Sequence, residues 1–147
     1  MALRNAFGDL ASDESLKKVN VAQTDGSQKT KIVPVSTGGL SVYRNINLVA
    51  SGVNIKSSAG QIYGWYLFNN APTVRYIKLY NKAKAPSVGA DTPAMTIPLP
   101  SRAAANVIVP SGIAFSHGIG IGATTGVSDG NADMPTTNDV IVNIIYY

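Results

Sequence analysis

The sequence predicts a mostly β chain: an antiparallel β-sandwich or jelly-roll-like domain behind an extended N-terminal arm. Three observations predict it. Only 14% of the residues are charged and Glu14 is the sole glutamate, whereas helical surfaces draw heavily on Glu, Lys and Arg. Val, Ile, Thr, Tyr, Asn and Gly dominate instead, the vocabulary of half-buried strands and turns. From residue 38 onward, short apolar runs alternate with Pro, Gly and Asn clusters, at the spacing of sandwich strands. A chain of 147 residues that is 45% hydrophobic can bury a core, and its length suits one domain with an appendage.

Residues 1–37 read as the arm. Ser12 is placed to cap a short helix through Lys18, with Asp13 and Glu14 in its first turn and Lys17 and Lys18 in its last. Such a helix is too short to stand without packing. Asp25-Gly26 marks a turn within the polar run at residues 23–31. Residues 40–56 supply one or two strands, bent at Ser51-Gly52. Residues 61–69 form the most aromatic strand, with Tyr63, Trp65 and Leu67 on one face and Ile62, Tyr66 and Phe68 on the other. Pro72 holds Ala71 extended in a tight connection, so residues 73–81 are expected to pair back as a hairpin. A polar loop at 82–93 precedes a short strand at 94–99, pinched by Pro98 and Pro100. Residues 104–109 make another strand, ended by Pro110-Ser111-Gly112. Residues 113–123 then alternate Gly118, Gly120 and Gly122 with Ile119 and Ile121. After a loop at 124–138, residues 139–147 are a strongly apolar last strand.

That last strand is apolar on both sides: Val140, Val142, Ile144 and Tyr146 oppose Ile141, Ile145 and Tyr147. A two-layer sandwich in water shows one polar face per strand, so the surplus apolar face needs cover from another subunit.

Several function classes lose support at this point. The chain has no cysteine, so disulfide and thiolate chemistry are absent. The first ten residues carry Arg4 and Asp9 and lack a signal-type apolar run. No stretch reaches the roughly 18 apolar residues of a membrane span, which points to a chain soluble after synthesis. The net charge is +4, with all twelve Lys and Arg within residues 1–102. These cations are scattered rather than clustered, so they read as a solvated or interface-lining surface before a nucleic-acid footprint.

Candidate chemistry is sparse. His117 is the only histidine; with no Cys or second His beside it, a core or interface role is expected over a metal or catalytic one. Gly118-Ile119-Gly120-Ile121-Gly122 alternates inside a strand, where phosphate loops open a helix; glycines on one strand face suit close approach of another backbone. Asp129, Asn131 and Asp133 alternate around Gly130, but Met134 and Val140 stand where an EF-hand needs Gly and Glu, so a loop held by Asx turns is expected. Tyr63, Trp65 and Tyr66 offer flat faces that stack sugars or bases, though strand aromatics more often serve cores and interfaces. No cofactor is implied.

The stretches Gly64-Trp65-Tyr66-Leu67-Phe68-Asn69-Asn70 and Arg75-Tyr76-Ile77-Lys78-Leu79-Tyr80-Asn81-Lys82-Ala83 resemble small structural proteins of tailed phages. So do Pro86-Ser87-Val88-Gly89, Asp91-Thr92-Pro93, Thr96-Ile97-Pro98-Leu99-Pro100, Gly112-Ile113-Ala114-Phe115-Ser116 and Asn138-Asp139-Val140-Ile141-Val142-Asn143. The opening Met1-Ala2-Leu3-Arg4-Asn5-Ala6-Phe7-Gly8-Asp9-Leu10 adds to the likeness, which covers about two-thirds of the chain. The resemblance implies a non-enzymatic virion component made in the host cytoplasm. Its first form is a capsid decoration or cement protein that binds itself, as a homotrimer, and the major capsid protein. A tail or fibre-base protein is the rival, and a glycan-binding sandwich the alternative from another class. Neither a small-molecule substrate nor a membrane is implied. The expected contacts are Tyr63, Trp65, Tyr66, Val140, Val142, Ile144, Tyr146 and Tyr147 on the sandwich. On the arm they are Arg4, Phe7, Leu10, Lys17 and Lys18, with Lys29 and Lys31 placed to meet acidic capsid surface.

Overall fold

A computed structural model describes residues 39–147. The predicted capped helix, the Asp25-Gly26 turn and the arm contacts Arg4, Phe7, Leu10, Lys17, Lys18, Lys29 and Lys31 lie outside the described residues. Gly39–Tyr147 forms one compact unit of eight strands: β1 (Ser41–Asn45), β2 (Val53–Lys56), β3 (Gly60–Asn69), β4 (Arg75–Asn81), β5 (Met95–Leu99), β6 (Ala104–Phe115), β7 (Ile119–Thr124) and β8 (Val140–Tyr146).

The strands form two four-stranded sheets, ordered β1-β8-β3-β6 and β2-β7-β4-β5. Each early strand pairs antiparallel with its mirror among the later ones: β1 with β8, β2 with β7, β3 with β6 and β4 with β5. The pattern is that of one long hairpin rolled up, closed by the further pairs β3·β8 and β4·β7. This is jelly-roll topology, as the composition and strand spacing predicted. Only the β4–β5 connection stays within one sheet; every other crosses between the two.

Three expectations about individual strands are corrected. Residues 61–69 and 73–81 do not form a hairpin, because β3 lies between β8 and β6 while β4 lies between β7 and β5. The buried Asn69 side chain explains the crossing. Its Nδ2 donates to the Thr73, Leu99 and Pro100 carbonyls at 2.9, 2.9 and 3.0 Å, and its Oδ1 accepts from Ala71 N at 2.9 Å. These bonds tie the β3–β4 connection to the end of β5 rather than closing a turn. Second, β6 does not stop at Pro110. It continues to Phe115 through Gly112 at φ 73°, and the 113–123 run is broken by a turn before β7.

Third, the faces of β3 change phase. The register shifts between Ile62 and Gly64 against both neighbours: Tyr63 is one extra residue against β8, whereas against β6 the extra residues are on β6, where 109–112 lie opposite Tyr63 alone. Ile62 faces the core before the bulge, and Trp65 and Leu67 face it afterwards. The core joins these to Val140, Val142 and Ile144 from the same sheet. Ile77, Leu79, Leu99, Ile119, Ile121 and Ala123 come from the other sheet, with Leu48 and Phe115 at the margins. Burying such aliphatic side chains contributes about 1.5–3 kcal/mol each, and both inner faces are filled by the chain itself.

Candidate functional site

The two outer faces differ in what covers them. Over β2-β7-β4-β5, the chain's own loops lie down. Gly120 and Gly122 leave the space, since a Cβ at either would stand 3.0 Å from Pro86 Cδ or 2.6 Å from Val88 Cγ2. The close backbone approach expected of these glycines is therefore made within one chain. Beneath the loops sit Lys78 and Tyr80, at 0% and 1% exposure. Lys78 Nζ donates to the carbonyls of Ser128, Asp129 and Asn131 at 2.6, 3.3 and 3.1 Å. Burial pulls this ammonium below the ordinary lysine pKa, and the Asp129 carboxylate works against that. Tyr80 Oη has no hydrogen-bond partner among the described residues. Burial first, then the carboxylates of Asp91 and Asp129, push its pKa up to about 12. Asp91 is held below the usual carboxylate range, chiefly by the hydrogen bond from Lys82 and then by Ser87 N.

The same loop answers the cation question raised by Asp129, Asn131 and Asp133. Asn131 Oδ1 accepts from Gly126 N at 3.0 Å and its Nδ2 donates to Asp133 at 2.7 Å. The carbonyls that converge in the loop point to the Lys78 ammonium. Among the described residues, no three His, Cys, Asp or Glu side chains gather as a metal site requires.

Among the described residues, the outer face of β1-β8-β3-β6 carries no loop of this kind; it is built from transverse rows. Val42, Ile145, Gly64 and Ile108 are in register across the four strands. Beside them run Arg44, Asn143, Tyr66 and Asn106, then Ile141, Phe68 and Ala104. Val42 is 63%, Ile108 57%, Tyr66 48% and Phe68 37% exposed. Two apolar rows thus flank one polar row on a continuous surface.

The expected contact residues divide between these places. Tyr66 stands on the exposed face. Trp65, Val140, Val142 and Ile144 do not: they are core residues, at 6%, 0%, 0% and 0% exposure, because the bulge and the strand phase turn them inward. Their expected role as intersubunit contacts is corrected accordingly, and Tyr146 packs half-buried against the same core. Tyr63, Trp65 and Tyr66 also fail to make one aromatic platform, since Trp65 faces the opposite way from Tyr66. Tyr63 and the exposed Tyr147 meet elsewhere, at an open cleft of about 440 Å³ that also includes Gly60, Gln61, Phe115 and Ser116. There Tyr63 Oη donates to Gln61 Oε1 at 2.5 Å, and Lys56 Nζ lies 5.0 Å from the Tyr147 ring centre.

His117 is exposed on the β6–β7 turn, which overturns the core half of its expected core or interface role. Its backbone N donates to Asn81 Oδ1 at 2.8 Å, while Asn81 Nδ2 donates to Ser116 Oγ at 2.9 Å. Ser116 Oγ and His117 Nδ1 are 3.1 Å apart. No carboxylate is hydrogen-bonded to the imidazole among the described residues, so the triad pattern is incomplete.

At the opposite end of the sandwich, Asp139 Oδ2 accepts from Arg75 Nε and Nη2 at 2.9 and 2.7 Å and from Thr136 N at 2.9 Å. This pair joins β4 to the start of β8. Sequence reasoning missed it, as it missed Asn69 and Lys78, because the partners lie 64, 30 and 50 residues away. No local pattern announces such pairs.

No protein-family model, curated protein or solved structure matches this chain.

Proposed function

We propose that this chain is a structural protein of a tailed-phage particle, a capsid decoration protein that binds the outer capsid surface and braces neighbouring capsomers. The observation that carries the reading is the exposed outer face of the β1-β8-β3-β6 sheet, uncovered among the described residues, where Val42, Ile108 and Phe68 flank Tyr66. Jelly rolls build capsid and lectin domains alike, so the topology alone does not choose. The exposed sheet face, with its rows of Val42, Phe68 and Ile108, favours packing against protein, and the sequence resemblance to phage structural proteins points the same way. The mechanism is physical. Contacts made only in the assembled state stabilise that state by mass action, and apolar area removed from water supplies most of the gain.

The test is immunogold electron microscopy on particles of the phage that encodes the chain, with antibody against the native protein. Gold over the heads supports decoration. Gold confined to tails keeps the structural class and moves the chain to a tail or fibre-base role. Particles without gold overturn the reading.

A glycan-binding module is the second reading, favoured by the cleft where Tyr63, Gln61, Ser116 and Tyr147 combine aromatic faces with neutral polar groups. Glycan-array binding lost on Tyr63→Ala would support it, and silence across a broad array would remove it.

A further inference from the structure

Among the described residues, strand β6 is an edge, paired with β3 on one side only. Natural edges are blunted by charge, proline or a bulge; on β6 the proline and the bulge lie at 109–112, and residues 103–108 carry neither these nor any Lys, Arg, Asp or Glu. Val107 and Ile108 stand 41% and 57% exposed along it. The ladder shows which amides have no strand partner among the described residues. Asn69 N donates to Ala103 O at 2.9 Å, and Trp65 and Leu67 are opposite Val107 and Ala105. By antiparallel alternation, residues 103, 105 and 107 bond to β3, while Ala104, Asn106 and Ile108 direct N–H and C=O outward.

The pairing-competent window has a centre. Arg102, at φ 54°, ends the extended backbone on one side, and Pro110, which lacks an N–H, limits it on the other. Each lies four residues from Asn106. The outward-facing residues Ala104, Asn106 and Ile108 are likewise symmetric about Asn106. An edge that maps onto itself when reversed fits a second copy of itself, with core-side and outer faces both in phase.

We propose that two copies of this chain join edge to edge through β6, antiparallel about a two-fold axis beside Asn106. Ala104 of each copy then lies opposite Ile108 of the other, and the two β1-β8-β3-β6 sheets become one. The area argues for such a union. Four strands by five residues make a face of roughly 300–350 Å², under half of the ~800 Å² each partner gives to a stable interface. Joining two copies doubles the continuous face. The area argument rests on the assembly reading, whereas the symmetry of the edge does not, and the pair replaces the three-fold form that the phage resemblance implies with a two-fold one.

Because the chain has no cysteine, cysteine placed on β6 tests the register directly. In the full chain under mild oxidation, Asn106→Cys is expected to give a disulfide-linked dimer, since directly opposed residues lie ~5.5 Å apart between Cα atoms. Ala104→Cys and Ile108→Cys alone should give about tenfold less, because each is ~14 Å from its own copy. The double variant Ala104→Cys/Ile108→Cys should link again. Asn106→Pro removes an outward N–H and spares the β3 ladder, so it should turn a dimer by light scattering into a monomer with unchanged Trp65 fluorescence. A monomeric wild-type chain at tens of micromolar, or linking equal at all three single positions, would overturn the proposal. Particles without gold would remove the virion assignment and leave this contact standing; a monomeric chain that labels heads would do the reverse.

Discussion

Replacing Asp139 with alanine removes the carboxylate that faces the Arg75 guanidinium at side-chain exposures of 14% and 11%. Three hydrogen bonds disappear: those from Arg75 Nε, Arg75 Nη2 and Thr136 N. Breaking a buried ion pair from one side costs about 3–5 kcal/mol, because the partner charge is left uncompensated. Two features reduce that here. Arg75 Nη1 keeps its bonds to Thr73 Oγ1 at 2.6 Å and Val74 O at 3.0 Å, and the site is not wholly dry. The expected cost is about 2–4 kcal/mol. Arg75→Met in the same background removes the stranded charge, so the double variant should be less damaged than the sum of the single changes by about 2 kcal/mol. Urea unfolding followed by fluorescence of Trp65, the only tryptophan and 6% exposed, measures both quantities. A loss below about 1 kcal/mol for Asp139→Ala, or simple additivity in the cycle, would refute the claim that this pair holds β4 to β8.

Other expectations follow from the covered and uncovered faces. Tyr80 titrates near 10 when unfolded and at about 12 when folded, so its neutral form stabilises the fold fully below pH 10. That contribution, up to about 2–3 kcal/mol, is lost as pH rises from 10 to 12. Tyr80→Phe should flatten that part of the stability–pH curve relative to wild type; parallel curves would refute it. Lys78→Met keeps the buried stem and removes the ammonium from three carbonyls. It should cost about 1–3 kcal/mol and open residues 126–133 to limited proteolysis; an unchanged cleavage pattern would count against the lysine as the loop's anchor. Val42→Lys with Tyr66→Lys alters exposed positions only, so unfolding should shift by under about 0.5 kcal/mol while attachment to particles is lost. Retained attachment would remove this face from the proposed function.

What the sequence determined was the class of structure and the position of its elements. Low charge, β-branched and aromatic residues, and Pro, Gly and Asn between short runs are local properties, and they sufficed for a sandwich or jelly roll. They also sufficed to read the alternating glycines as a place where backbone comes close, and residues 129–133 as a loop without an EF-hand. Partner and phase were decided by tertiary structure. Period two assigns faces only until a residue is inserted, and the bulge at Tyr63 turned Trp65 from a contact candidate into core. Pairing is non-local, so nothing between residues 69 and 75 revealed that the chain crosses from one sheet to the other instead of turning back. The apolar surplus of the last strand was legible, but its division was not. Val140, Val142 and Ile144 fill the chain's own core, leaving Val42, Tyr66, Phe68 and Ile108 to face outward. Which apolar residues are spent inside and which remain for a partner depends on contacts between strands tens of residues apart, and only the folded sandwich sets those.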